Sequence, residues 1–149
     1  MKKFNLIKST LGNVINRYGQ TVVFYLDEVD SNYDLAVKPL IIIVPGYAES
    51  KMDFISTAYY LANNGFMVIR YDNTNSIGQS SGVFDNICFS SMYNDFKAVL
   101  DYSFKKFNGS RIGVLTSSLS SRIIFRFLAK EKEASLRVNC LICVAGIVN

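Results

Sequence analysis

The stretch VLTSSLSSR, residues 114–122, carries a dense group of side chains that could act as nucleophiles. Five of them bear hydroxyl groups: Thr116, Ser117, Ser118, Ser120 and Ser121. A serine hydroxyl held at the junction of a strand and a helix can attack a carbonyl carbon when a base activates it. The alternative is a serine-rich helix cap, which needs no chemical role. The surroundings of the stretch have to decide between these two interpretations.

One register of these residues is typical of a turn that exposes a nucleophile. The pattern G-x-S-x-G marks this turn, the nucleophile elbow, because only small residues fit where the strand and the helix approach each other. Residues 116–120 match the pattern with Ser118 at its centre, although threonine and serine replace the two glycines. The helix that follows would offer backbone N–H groups to developing negative charge. On these five residues alone, a serine-rich N-cap is at least as good an interpretation.

A second loop favours the catalytic interpretation. The run VPGYA, residues 44–48, follows an apolar strand, where α/β hydrolases place half of their oxyanion hole. The N–H group of Tyr47 would point to the same position as the N–H group of Leu119, which follows the proposed nucleophile. A tight Pro-Gly turn without a chemical role is the alternative. For Asp72, which begins a third loop, we predict a structural rather than a catalytic role.

Alternating apolar runs and helical patterns predict the elements that position these loops. Strands are predicted near residues 21–27, 39–44, 66–71, 111–115 and 138–144, and helices near residues 52–64, 91–107 and 119–132. Strands that alternate with helices at this spacing favour βαβ units and a mainly parallel sheet with helices on both faces. The first sixty residues are expected to add an antiparallel strand or hairpin. The predicted fold class is therefore α/β.

The composition favours one domain and excludes several functions. Half of the 149 residues are hydrophobic and only 19% are charged, which is unlike a disordered chain. The net charge of +4 comes from scattered lysines and arginines, so no nucleic-acid-binding stripe is predicted. No apolar run approaches the roughly 18 residues of a membrane span, and the start lacks the apolar core of a signal peptide. We expect a cytoplasmic protein without a cofactor, since the loop 45–48 also lacks the G-x-G-x-x-G pattern of nucleotide binding.

Two residue types limit the chemistry. Cys140 and Cys143 form a C-x-x-C pair, but residues three apart on a strand point to opposite faces. We therefore predict two ordinary buried cysteines rather than a redox or metal pair. The sequence contains no histidine. Histidine is the usual general base for a serine nucleophile because it titrates near neutral pH.

Two long stretches resemble a known family: LIIIVPGYAESKMDFISTAYYLANNGFMVIRYDNTNSIGQSSG, residues 40–82, and RIGVLTSSLSSRIIFRFL, residues 111–128. From about residue 36 to the final AGIVN, the chain resembles the acyltransferases of bacterial luminescence. These are myristoyl-ACP thioesterases that supply fatty acid to the fatty-acid reductase. The resemblance implies an α/β-hydrolase fold, with Ser118 as the catalytic nucleophile and the N–H groups of Leu119 and Tyr47 as oxyanion donors. It implies acyl carrier protein or an acyl-CoA thioester as partner, and components of the fatty-acid reductase as further partners.

The same resemblance raises the question of the missing base. In α/β hydrolases the triad follows the chain order serine, aspartate, histidine, so both partners of Ser118 would lie beyond residue 149. We expect residues 1–149 to be the N-terminal part of a single α/β-hydrolase domain, inactive on its own. Two alternatives stay open. One is a general serine esterase or peptidase of the same fold, and the other is a catalytically dead remnant that acts as an interaction module.

Overall fold

The computed structural model describes residues 5–30 and 37–146, which form six strands and four α-helices. The strands are β1 (Ile7–Ile15), β2 (Thr21–Val29), β3 (Leu40–Val44), β4 (Met67–Tyr71), β5 (Ile112–Ser117) and β6 (Val138–Val144). The helices are α1 (Ile55–Asn63), α2 (Phe89–Lys106), α3 (Ser120–Lys130) and α4 (Lys132–Ser135), with short 3-10 helices at Lys51–Phe54 and Phe84–Asn86. No helix in these ranges combines the length and the apolar surface that a bilayer crossing requires.

The six strands form one mixed sheet in the order β1-β2-β4-β3-β5-β6. The four strands β4, β3, β5 and β6 run parallel to one another, while the hairpin β1-β2 joins β4 through β2 in antiparallel fashion. This confirms the predicted mainly parallel sheet with an antiparallel entry. Because β3 and β5 are parallel neighbours, with Val44 opposite Thr116, the loops that follow them lie side by side at the carboxyl ends of these strands.

The helices cover both faces of the sheet. On one face, α2 and α3 pack Phe96 and Phe127 against Ile42 and its neighbours; on the other, α1 packs small side chains against Ile43 and its neighbours. Every residue of β3 is buried, because a central parallel strand alternates its side chains between two covered faces. Complete burial of one such isoleucine contributes about 1.5–3 kcal/mol. The two loops beyond β3 and β5 therefore rest on a firmly packed pair of strands.

The strand β6 departs from what its apolar sequence predicts. It pairs with β5 alone among the described strands, and Ile142 and Val144 are 47% and 50% exposed. Cys140 and Cys143 are free thiols and both are exposed, so the prediction that they are buried is wrong. The physical reason is their position. In the described part of the chain β6 is the edge of the sheet, and the helices leave most of its side chains uncovered.

Candidate active site

Ser118 lies in a tight turn between β5, which ends at Ser117, and α3, which begins at Ser120. Its backbone φ is +51°, in the left-handed region that costs a residue other than glycine about 1–2 kcal/mol. The Ser118 N–H group donates to the carbonyl oxygen of Val144 in β6 at 2.9 Å, which holds the turn in this conformation. Strained backbone of this kind persists only where the surrounding structure fixes it, and it concentrates at functional sites.

The five hydroxyl groups of this stretch differ in their hydrogen bonds. Four of them bind other protein groups: Thr116 bonds with Ser121 at 2.8 Å, Ser117 donates to Glu49 at 2.9 Å, and the Ser120 proton is shared between the carbonyl oxygens of Ser117 and Val44, at 2.7 and 3.1 Å. The hydroxyl of Ser118 makes no hydrogen bond to residues 5–30 or 37–146. Ser118 is also only partly buried. Among these five hydroxyls, that of Ser118 alone is available to an incoming ligand.

The same bonds explain why the elbow tolerates hydroxyl residues in place of glycines. Thr116 and Ser120 occupy the two glycine positions of the pattern, and both are fully buried. A buried hydroxyl without a partner would be costly. Here Thr116 bonds with Ser121, while the Ser120 hydroxyl donates to Ser117 O at 2.7 Å and accepts from Ser117 N–H at 3.0 Å. The strand and the helix can therefore approach closely without glycine.

The loop after β3 packs directly against this turn. A Cβ atom on Gly46 would lie only 3.0 Å from the carbonyl oxygen of Ser117 and 2.9 Å from Glu49 Oε2, so a larger residue would push the two loops apart. The carbonyl of the preceding Pro45 accepts a hydrogen bond from Asn73 Nδ2 at 3.3 Å. Gly46 is therefore needed because it lets the two loops pack closely, and not only because it permits a turn.

Glu49 joins the two loops, and sequence reasoning missed it. Its Oε2 accepts the N–H of Gly46 at 2.6 Å and its Oε1 accepts the hydroxyl of Ser117 at 2.9 Å. These partners directly precede Tyr47 and Ser118 in the chain. A half-buried glutamate three residues after a Pro-Gly turn looks like an ordinary loop residue in the sequence. The one sequence feature that could have indicated this role is its position three residues after Gly46, within reach of the Gly46 N–H group.

Tyr47 and Leu119, the two predicted oxyanion donors, lie in these two adjoining loops. Tyr47 follows Gly46 in the turn and is 53% exposed, and its ring packs edge-on against Phe84 with 5.6 Å between ring centroids. Leu119 immediately precedes α3 with φ −62° and ψ −27°. The first N–H groups of a helix lack intrahelical partners and are free to bind an anion. The structure thus brings the loops of Ser118, Leu119 and Tyr47 together.

Asp72 is occupied by structural contacts. It is fully buried, and its carboxylate forms an ion pair with Lys51 Nζ. It also accepts the N–H groups of Lys51 and Gln79, each at 2.7 Å. Gly78 is required beside it, because a Cβ there would lie 2.3 Å from the Asp72 carboxylate. With both oxygens bonded in this way, Asp72 ties the loop 72–82 to the start of the 3-10 helix, in agreement with its predicted structural role.

A second buried ion pair extends this support to β2. Arg70 binds Asp27 through two hydrogen bonds of 2.6 and 3.2 Å and also donates to the carbonyl of Lys51 at 2.9 Å. The ring of Tyr25 lies near both cations, 4.8 Å from the guanidinium of Arg70 and 5.6 Å from Lys51 Nζ. Since Lys51 follows the loop 45–50 directly, these contacts fix the end of the loop that carries Tyr47.

Asp95 anchors the loop 72–82 from the α2 side. Its carboxylate accepts hydrogen bonds from Asn16 Nδ2 at 2.8 Å and from the N–H and hydroxyl of Thr74 at 2.7 and 2.8 Å. Burial raises the pKa of Asp95, while these hydrogen bonds oppose the shift. Burial, and to a lesser extent the charge of Asp95, also raises the pKa of Tyr71 well above its usual range.

The sheet order and the strained serine between β5 and α3 are those of an α/β hydrolase. Similar solved structures include an esterase from Pyrococcus furiosus, with a TM-score of 0.75, 18% identity and coverage of 96% of this chain and 51% of the esterase. The α/β hydrolase GrgF from a Penicillium species gives a TM-score of 0.75 with 19% identity, over 93% of this chain and 46% of its own. Identities this low establish the fold alone.

Sequence comparison establishes the family within this class. A sequence model of the acyl transferase family matches residues 14–149, and the chain belongs to this family. An acyl transferase from Photobacterium leiognathi is 39% identical over 109 residues, which are 73% of this chain and 33% of the relative. The chain thus spans about a third of the length of the curated relatives it matches. The resemblance seen in the sequence is confirmed.

Proposed function

We propose that this chain carries the nucleophile and the oxyanion donors of a serine acyltransferase. Ser118 Oγ attacks the carbonyl carbon of an acyl thioester, and the hydroxyl proton passes to a general base. The N–H groups of Tyr47 and Leu119 stabilise the negative oxygen of the tetrahedral intermediate. The C–S bond then breaks, the thiol leaves with the proton, and the acyl group stays on Ser118 until water or another acceptor takes it.

The observation that carries this proposal is the state of Ser118. Its φ of +51° holds it clear of the strand and the helix, and its hydroxyl is the one of five that binds no other described group. The close contact between Gly46 and Ser117 supports the assignment of the two oxyanion donors, because it brings their loops together.

The substrate class follows from the family resemblance. It favours a long-chain acyl group, myristoyl, that is carried as a thioester on acyl carrier protein or coenzyme A. The fatty acid released by water would pass to the fatty-acid reductase of luminescence. Residues 1–149 contain no histidine, so the proposal requires an aspartate and a histidine from outside these residues to complete the triad.

Exogenous imidazole can test the proposal on the chain as it stands. With a p-nitrophenyl ester or a long-chain acyl thioester, residues 1–149 should show only the residual rate that an oxyanion hole and binding provide, about 10³–10⁴-fold over water. Added imidazole should replace the missing base and speed acylation of Ser118, which peptide mass spectrometry can locate. Ser118→Ala should abolish the adduct at the same imidazole concentration, whereas Ser121→Ala should retain it. An adduct that persists in Ser118→Ala would overturn the assignment.

A second candidate applies to residues 1–149 taken alone, which contain no histidine. Under this alternative the chain is a non-catalytic interaction module that keeps the fold of its relatives. It predicts that no acyl adduct forms on Ser118 at any imidazole concentration, while the chain still binds acyl carrier protein.

A further inference from the structure

A groove of about 620 Å³ lies between α2, α3 and the turn that joins β1 to β2. Its described lining includes no residue of the loop 45–50 and none of the turn that holds Ser118, so the groove is separate from the candidate active site. Small-molecule sites in proteins have volumes of about 300–1,000 Å³, and the groove falls within this range. It is therefore large enough for a small ligand that takes no part in the proposed acyl chemistry.

The groove carries an excess of positive charge. Arg17 from the turn and Arg126 and Lys130 from α3 line it, all three are exposed, and none of them forms an ion pair within the described ranges. Arg122 also lines the groove but already has a partner. Glu131 is the one carboxylate among the described lining residues, and its oxygens already accept hydrogen bonds from two side chains of α2, at 2.9 and 3.3 Å. An anionic group such as a phosphate would therefore meet three available cations.

The N-terminus of α2 opens into the same groove. This helix has 18 residues, and its first two, Phe89 and Ser90, are lining residues. The N–H of Met92 donates to the carbonyl of Cys88 at 3.2 Å, which is the first backbone hydrogen bond of the helix. The N–H groups of Phe89 and Ser90 precede it and have no intrahelical partner. With the positive end of the helix dipole, they favour a phosphate group at this end of the groove.

The other lining residues suit a flat ring that carries a hydrogen-bond donor. Tyr18 and Phe89 are 57% and 45% exposed and offer aromatic surface. Asn94 is only 6% exposed, and its Nδ2 donates to the carbonyl of Ser90 at 2.5 Å and to the hydroxyl of Tyr18 at 3.5 Å. Its Oδ1 accepts no hydrogen bond from the described residues. A nearly buried acceptor of this kind requires a donor from outside the protein, and an aromatic ring beside it is the usual stacking surface for a nucleobase.

We infer that this groove is a binding site for an adenine nucleotide. The base stacks on Tyr18 and donates its amine to Asn94 Oδ1, while the phosphates lie between the available cations and the N-terminus of α2. The guanidinium of Arg17 is 5.3 Å from the centroid of the Tyr18 ring, so one ligand can reach a cation and the ring together. Pyrophosphate would leave the ring and the amide unused, and adenosine would leave the cations unused. The inference adds a binding function to the chain and does not depend on the proposed role of Ser118.

Anisotropy of the fluorescent nucleotide mant-ADP, titrated with residues 1–149, tests the site. Arg126→Ala/Lys130→Ala should bind about tenfold more weakly, as expected for the loss of two exposed charge pairs. The matched control Lys105→Ala/Lys106→Ala removes two exposed lysines that do not line the groove, and it should bind like the parent. Tyr18→Ala should also lower the affinity about tenfold, because it removes a stacking surface. All the replaced side chains are exposed, so the variants should fold like the parent.

Unlabelled competitors identify the class of ligand. ADP should displace mant-ADP, and pyrophosphate should do so more weakly. IDP carries a carbonyl oxygen where ADP carries the amine, so it cannot donate to Asn94 Oδ1. We therefore expect IDP to compete about fivefold more weakly than ADP.

Several results would overturn the inference. They include no saturable binding of mant-ADP, equal affinity of Arg126→Ala/Lys130→Ala and the parent, and an equal loss of affinity in the lysine control. Displacement by pyrophosphate as effective as that by ADP would mean that the groove recognises anions alone. Equal displacement by IDP and ADP would refute the assigned contact with Asn94. Coenzyme A also contains an adenine nucleotide, and stronger displacement by coenzyme A than by ADP would mean that the groove holds a thioester carrier instead of a free nucleotide.

Discussion

Glu49 should position the loop 45–50, which carries the proposed oxyanion donor Tyr47, and replacing Glu49 tests how that loop is held. Glu49→Ala deletes the acceptor of both the Gly46 N–H and the Ser117 hydroxyl. A hydrogen bond to a charged group contributes about 1.5–3 kcal/mol. Because Glu49 is only half-buried, water replaces part of the loss, and we expect the free energy of unfolding to fall by about 1.5–3 kcal/mol in total.

The effect on acylation should exceed this loss of stability. Tyr47 follows Gly46 directly, so freeing the Gly46 N–H should let the N–H of Tyr47 move away from the position proposed for the oxyanion. Complete loss of one oxyanion donor lowers the rate by about 10²–10³-fold. Since the loop keeps its contact with Asn73, we expect Glu49→Ala to slow imidazole-rescued acylation of Ser118 by about 10–100-fold, a part of that range.

Two matched variants identify the cause. In Glu49→Gln the amide oxygen can still accept the Gly46 N–H while the amide nitrogen donates to Ser117, so acylation should stay within about threefold of the parent. Ser117→Ala removes one bond and leaves the Gly46 bond intact, so it should affect stability more than rate. If Glu49→Ala acylated at the parent rate while fully folded, or if Glu49→Gln were equally slow, Glu49 would not be a positioning residue.

Three further predictions concern stability and association. Lys51→Met leaves the buried Asp72 charge unpaired and should lower the free energy of unfolding in urea by about 3–5 kcal/mol, whereas the exposed Lys105→Met should change it little; equal midpoints would contradict the structural role of the pair. Because burial raises the pKa of Asp95, the folded state holds the carboxyl proton of Asp95 up to a higher pH than the unfolded chain does. The free energy of unfolding should therefore fall as pH rises from about 3.9 through the raised pKa. Urea titrations at several pH values should show this decrease in the parent and not in Asp95→Asn. Residues 1–149 expressed alone should associate through the exposed apolar strand β6, and Ile142→Lys should shift sedimentation toward monomer; a parent chain that sediments as a stable monomer would contradict this.

Local sequence patterns were sufficient for most of the elements and for the turn that holds Ser118. The apolar run 40–44 and the helical spacing of α2 reflect burial on a sheet and a helix, so both elements were predicted within a few residues. The place of Ser118 between β5 and α3 was predicted because an elbow is a local pattern that depends on five consecutive residues. The positive φ lies at Ser118, the centre of the predicted pattern, even though hydroxyl residues replace its glycines.

The contacts that support the site could not be predicted in the same way. Glu49 reaches Ser117 only because β3 and β5 pair in parallel, a relationship between residues 68 positions apart. The burial of Lys51 likewise depends on a distant aspartate. The error over Cys140 and Cys143 has a related cause, because an apolar strand reads the same at the centre of a sheet and at its edge. These features depend on tertiary pairing, which a single sequence does not display.

The buried pairs Asp27–Arg70 and Lys51–Asp72 have a consequence for how shortened forms of this protein should be designed. Ser9 in β1 donates to Asp27 at 2.5 Å, so the outermost strand takes part in the same set of contacts that fixes the loop of Tyr47. Removing the first hairpin would keep every residue of the proposed chemistry. It would, however, leave Arg70 as a buried cation without the carboxylate of Asp27. The antiparallel hairpin is therefore an indispensable part of any shortened form that is meant to keep the loop of Tyr47 in place, although it contributes no residue to the proposed chemistry.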